Sequence, residues 1–242
     1  MHLDSQPASN TRPFLPTQPM PAAARAGSGP AEVGMGVGVG MAVPKASFTS
    51  SMQADLRKLA DMPRHCSALA VVAASVRHSH PMSLQVQIDD AVTRLTVFPR
   101  ERQFLCDWDL CALPRAQMAR LRLVQVEARP PLYAAPAAPG LAGSGPLGSM
   151  LWQLAKHGPT DELLPEIAGP AVYRLSPALH LTDLPLDPEL AAVLQQMRQR
   201  PHTVDELAAK PGFSRARVCR MLNAVYLQAG LIVTRSLPKL WS

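Results

Sequence analysis

Aromatic side chains are scarce in this chain of 242 residues, with Phe, Trp and Tyr making up only 5% of it, and much of the 47% hydrophobic content is alanine. Its cores should therefore be small. Cysteine is equally sparse: Cys66, Cys106, Cys111 and Cys219 stand far apart, without the dense spacing of a disulfide scaffold. The first residues lack a charged segment followed by an apolar signal core, so secretion is not expected and the thiols should be reduced in a cytoplasmic setting. Missing too is any apolar run near the roughly twenty residues that span a bilayer. The longest, around residues 68–74 and 35–43, are short and rich in Ala or Gly. No membrane partner is expected.

Catalytic signatures are also absent. There is no Gly-x-Ser-x-Gly, His-Glu-x-x-His or Gly-Lys-Ser/Thr pattern, so no catalytic residue is assigned and no enzyme is expected. Cys106 and Cys111 stand five apart, whereas zinc knuckles use closer pairs and two further ligands. His65, His78 and His80 have the character of loop histidines. Neither a metal nor another cofactor is expected. Asp89-Asp90 fits a turn, and Asp107 and Asp109 fit a strand-to-helix junction.

What the chain has in abundance is proline, 25 residues in all, crowded into residues 1–50 and 129–146. The first stretch, with its Gly-Met-Gly-Val-Gly-Val-Gly run, predicts a disordered tail rather than a phosphate loop, because no strand precedes the glycines and no helix follows them. The second predicts a loop or linker. Between and beyond them the pattern predicts an α+β fold, with a small antiparallel α+β domain over residues 51–181. A helix should run to about Asp61, and residues 67–76 are apolar without a period that separates helix from strand. Leu84, Val86 and Ile88 alternate with glutamines as a half-buried strand requires, and Leu95 and Val97 repeat the alternation. Strands are further expected over residues 103–108 and 123–127, with helix after Leu110. Helices are expected over residues 147–157 and 160–168, and extended chain from Tyr173 to Leu181.

Residues 183–242 form the most informative segment. Residues 188–242 hold eight Lys/Arg against three Asp/Glu, whereas the remainder of the chain is nearly balanced. Asp187 before Pro188 and Glu189 marks one helix start. Thr203 with Glu206 spells a capping box for a second, Pro211-Gly212 a turn, and Ser214 the cap of a third. At 100° per residue, Val218, Leu222, Val225 and Ala229 share an inward sector, while Arg217, Arg220 and Asn223 fall opposite with Ala216 and Leu227. Gly230 should end that helix, and Leu231 start a strand.

Glu206-Leu-Ala, Gly212-Phe-Ser, Val218-Cys-Arg220 and Gly230-Leu-Ile resemble the winged helix-turn-helix of bacterial transcription regulators over about residues 188–236. The resemblance implies a cytoplasmic DNA-binding regulatory protein. Arg217, Arg220 and Asn223 would meet bases or partner carboxylates, and Lys210, Ser214 and Arg215 would meet phosphates of double-stranded DNA. One short recognition helix implies a homodimer on DNA. The chain departs from the family after Arg235, where the remaining residues are too few for a full wing and include Pro238. The alternative is an adaptor in which this unit and the α+β domain bind signalling-protein partners.

Overall fold

The computed structural model describes residues 47–61, 67–128, 143–181 and 184–235. The tail expected before residue 47 lies outside them, as do residues 129–142 of the proline-rich stretch.

Two helices come first. Helix α1 (Ser50–Ala60) starts where the Thr49 hydroxyl accepts from Met52 N at 3.3 Å. Helix α2 (Ala68–His78) is capped in the same way by Ser67 on Ala70 N. Every residue from Ala68 to Ser75 is buried. A helix enclosed all round has no polar face, which is why its sequence carries no readable period. It ends at Ser79, in the left-handed region with φ 49°.

Five antiparallel strands follow in the order β4-β1-β2-β3-β5. Strands β1 (Met82–Ile88) and β2 (Ala91–Phe98) form a hairpin that turns at Asp89-Asp90, with Asp89 at φ 54°. The alternation legible in the sequence puts Leu84, Val86, Leu95 and Val97 in the core. Strand β3 (Gln103–Cys106) adds to β2, and β4 (Arg122–Ala128) adds to the far side of β1 through an irregularity at Gln85/Val86. The helix expected after Leu110 shrinks to the single turn of α3 (Arg115–Met118).

Strand β5 (Gly143–Pro146) corrects the expectation of structureless chain up to residue 146. Its pairing with β3 uses backbone alone, so a Gly-Ser-Gly-Pro run suffices. A Cβ at Gly143 would stand 1.9 Å from the Trp108 carbonyl oxygen, and only glycine passes there. From β5 the chain enters α4 (Leu147–His157) directly. This helix packs against β3 and β5 on one side and, more extensively, against the last helix on another.

Residues 160–168 are turns rather than the expected helix, with Ile167 N and Ala168 N both donating to the Leu164 carbonyl. Strand β6 (Ala171–Leu175) is shorter than the extended run expected to Leu181. Helices α5 (Pro188–Gln199), α6 (Val204–Ala208) and α7 (Arg215–Leu227) then follow, each capped as its sequence indicates: Asp187 on Leu190 N at 2.8 Å, the Thr203–Glu206 box at 3.0 and 3.1 Å, and Ser214 on Arg217 N at 3.2 Å. Strand β7 (Leu231–Arg235) pairs with β6, which lies upstream of all three helices, and His202 bridges to Tyr173 on β6. The turn into β7 places Ala229, not Gly230, at positive φ (55°), and Ala229 is exposed rather than inward. Gly230 is needed for a different reason, since a Cβ there would meet the Leu179 side chain at 2.5 Å.

Among the described residues no helix is long and apolar enough to cross a membrane.

Candidate functional site: a cationic cleft beside α7

Helix α7 is an interior helix. Val218, Leu222 and Val225 face inward as the periodicity predicts, but Cys219, Met221, Asn223 and Ala224 are buried as well. Neighbours on three sides account for this. Helix α6, just before it in the chain, packs against α7, α4 lies along a second flank, and the turns at residues 161–164 cover a third. At the C-terminal end of α7, Gln228 Nε2 donates to the Gly148 carbonyl on α4 at 2.8 Å.

Asn223 requires a correction. It was expected to present its amide to a base or a partner, yet it is fully buried. Its Oδ1 accepts from Leu164 N at 2.9 Å and its Nδ2 donates to the Glu162 carbonyl at 2.9 Å. The amide therefore pins the turn before β6 onto α7. Both of its polar ends are satisfied inside the protein, as a buried amide requires.

The cations of the same segment divide into two groups. Lys210 donates to Gln196 on α5, and Arg215, its side chain 68% exposed, holds Asp205 at 2.6 Å. Ser214 is exposed, with its hydroxyl engaged as the cap of α7. On the other flank, Arg217 is fixed in place: its guanidinium reaches Glu189 at 2.9 Å, Asp187 at 3.3 Å and the Gly212 carbonyl at 2.7 Å, and lies 4.4 Å over the Phe213 ring. Arg220 points toward α4, and its Nε is buried with no hydrogen-bond partner among the described residues.

Arg217 and Arg220 line a cleft of about 500 Å³ together with Ser214 and Met221 of α7, Arg115 of α3, Lys156 and His157 at the end of α4, and Asp187 and Leu190 at the start of α5. Asp187 is the one carboxylate in this wall, and its charge is already shared between the α5 cap, Arg217 and a Lys156 ammonium 3.9 Å away. The electrostatics register the imbalance. Burial pushes Lys156 below its ordinary value; Asp187 opposes that, and Arg115 and Arg217 add to it. Burial likewise pushes His157 down, helped by Arg115, Lys156 and Arg220. Burial is the larger cause in both cases, and at His157 the Arg115, Lys156 and Arg220 charges add to it, as expected where cations gather in one cleft.

Sequence reasoning found Arg217 and Arg220 but missed Arg115, Lys156 and His157. These come from elements far away in the chain, and only the packing of α4 on α7 brings them together. The available signal was weak: Lys156 and His157 close an amphipathic helix, where basic residues are ordinary.

On the remaining candidates the structure separates Cys106, buried at 3.9 Å from the Thr93 hydroxyl, from the exposed Cys111. No cluster of three His, Cys, Asp or Glu side chains suited to a metal ion occurs among the described residues. No protein-family model, no curated protein and no solved structure matches the chain.

Proposed function

We propose that this protein is a non-catalytic adaptor that docks an acidic segment of a partner protein in the cleft between α3–α4 and α5–α7. In this reading, residues 188–235 are a winged-helix-like unit turned to protein recognition. The observation that carries it is the position of α4, which lies along the helix a DNA-binding version would insert into the major groove. Nucleic-acid readout needs three or four side chains reaching base edges from one exposed helix face. Here Asn223 is internal, Arg217 is neutralised by two carboxylates, and Arg220 is turned into the cleft. A rigid duplex about 20 Å across does not enter a cavity of this size, whereas one or two side chains of a peptide do. Strand β7 pairs back to β6, so this edge of the unit is used internally.

The DNA reading retains Arg215 at the start of α7 and Lys210 in the turn before it, and a single experiment separates the two readings. Fluorescence anisotropy of the full chain is followed with a Glu/Asp-rich peptide and, separately, with mixed-sequence duplex DNA, each at low and at physiological salt. The adaptor reading predicts peptide binding that weakens about tenfold or more in Arg115→Glu and is unchanged in Arg215→Ala. Duplex binding that is lost in Arg215→Ala with Lys210→Ala, falls steeply with salt and ignores Arg115→Glu would overturn it.

A further inference from the structure

Within that reading, the cleft discriminates among anions. Arg217 is fully engaged by Asp187, Glu189 and the Gly212 carbonyl, which leaves Arg115, Lys156 and Arg220 as the cations with donor capacity to spare. The Arg115 side chain has neither a hydrogen-bond nor an ion-pair partner among the described residues, and it lines the cleft from α3 as an exposed residue. Arg220 lines the same cleft from α7, and its guanidinium has neither a hydrogen-bond nor an ion-pair partner among the described residues. Lys156 closes the third side, leaning on Asp187 only at 3.9 Å and lying 5.7 Å over the Trp152 ring.

Three donors on three walls, carrying more positive charge than one carboxylate can balance, call for a particular acceptor. A carboxylate brings one charge and two oxygens in a plane. A phosphoryl group brings a charge of about −1.5 to −2 near neutral pH and three acceptor oxygens arranged in a tetrahedron. Guanidinium forks meet phosphate oxygens in pairs, and lysine serves as a point charge beside them. The N-terminus of the 13-residue α7, opening at Ser214, adds its partial positive charge to the same wall.

We propose that the cleft is a phosphoryl-recognition site: Arg115, Lys156 and Arg220 receive the phosphate of a phosphorylated residue on the docking partner, with Arg217 and the start of α7 as its fixed back wall. The inference rests on the adaptor reading and narrows it to a modified side chain.

The test uses the full chain and three probes: a short Gly/Ser peptide with one central phosphoserine, the same peptide with Glu at that position, and inorganic phosphate. Affinities come from calorimetry, and the His157 ring is followed by NMR across pH. His157 is faced by Arg115 of α3, Lys156 of α4, Arg217 and Arg220 of α7 and Asp187 before α5. A dianion bound among these cations lifts the repulsion that disfavours imidazolium, so the His157 titration moves upward when the site fills. The expected result is binding of the phosphoserine peptide at least about tenfold tighter than the Glu peptide, with that upward shift and a loss of about tenfold or more in Arg220→Gln and in Arg115→Gln. The Arg115 side chain is exposed and bonds nothing among the described residues, so its variant keeps the test valid if Arg220→Gln fails to fold. Equal binding of the two peptides overturns the phosphoryl assignment and leaves the adaptor reading standing. Binding of neither overturns both. Inorganic phosphate binding as tightly as the phosphopeptide overturns the assignment to a partner residue in favour of a free anion.

Discussion

Asn223 shows how one side chain changes meaning between a helical wheel and a packed molecule. Its position outside the inward sector of Val218, Leu222 and Val225 is as the 100° period requires, and a lone helix on a core would leave it in water. The residues at 161–164, separated from it by about sixty positions, supply the backbone groups that bury it. Truncation in Asn223→Ala leaves the Leu164 amide without its acceptor in a water-free site. It should cost about 1–3 kcal/mol, read as a lower urea midpoint at unchanged slope. A residue that served only as a surface contact would shift stability by no more than about 0.5 kcal/mol. The same scale explains which parts of the expected site survive. Arg217 and Arg220 were legible because charge on a helix face is visible in the sequence, whereas Glu189 and Asp187, which hold Arg217, are recognisable in sequence only as first-turn and cap acids.

Elements are legible where a local rule suffices and obscure where tertiary packing decides. The β1–β2 hairpin, the Thr203–Glu206 capping box and the caps of α5 and α7 follow from neighbouring residues alone, and each stands where the sequence places it. Helix α2 hides because its burial is complete, and β5 hides because a strand made of Gly, Ser and Pro carries no side-chain pattern. The turns at residues 160–168 defeat the helical expectation because Pro165 interrupts the chain and Asn223 takes the Leu164 amide.

The join between β6 and the start of α6 has a consequence for pH. His202 exchanges two backbone bonds with Tyr173, at 2.8 and 2.9 Å, and its ring is buried; neither ring nitrogen has a hydrogen-bond partner among the described residues, and Glu206 comes no closer than 3.5 Å. Burial, with Arg200 and Lys210 nearby, holds its pKa below the ordinary 6.5, against the opposing pull of Glu206 and of the neighbouring Gln196 backbone. The unfolded chain therefore takes up a proton that the folded chain resists. The associated stability is present above about pH 6.5 and is drawn down as pH falls below it. Urea midpoints should decline from pH 7.5 to pH 5.5, and His202→Leu should flatten that decline, leaving the part that His157, lowered in the same direction, contributes. A slope unchanged by the substitution would show that His202 is not the group responsible.

At the scale of the whole molecule, the three arginines of α7, which carry part of the basic bias of the last fifth of the sequence, do not form one open basic face. Arg215 meets Asp205 and Arg217 meets Asp187 and Glu189, while Arg220 joins Arg115, Lys156 and His157 around a cavity. That redistribution is invisible to a count of charges, since it depends on α4 crossing from the sheet to α7. In the adaptor reading proposed above, it also sets what the protein grips: a small anionic group that enters the cleft, in preference to an extended polyanion lying across it. Amide chemical-shift mapping on the full chain with an acidic peptide tests this most directly. The account predicts that the perturbed resonances cluster at Arg115, Lys156, His157 and Arg220 while those of Lys210 and Arg215 stay in place. Perturbations centred on Lys210 and Arg215, with the cleft unmoved, would contradict it.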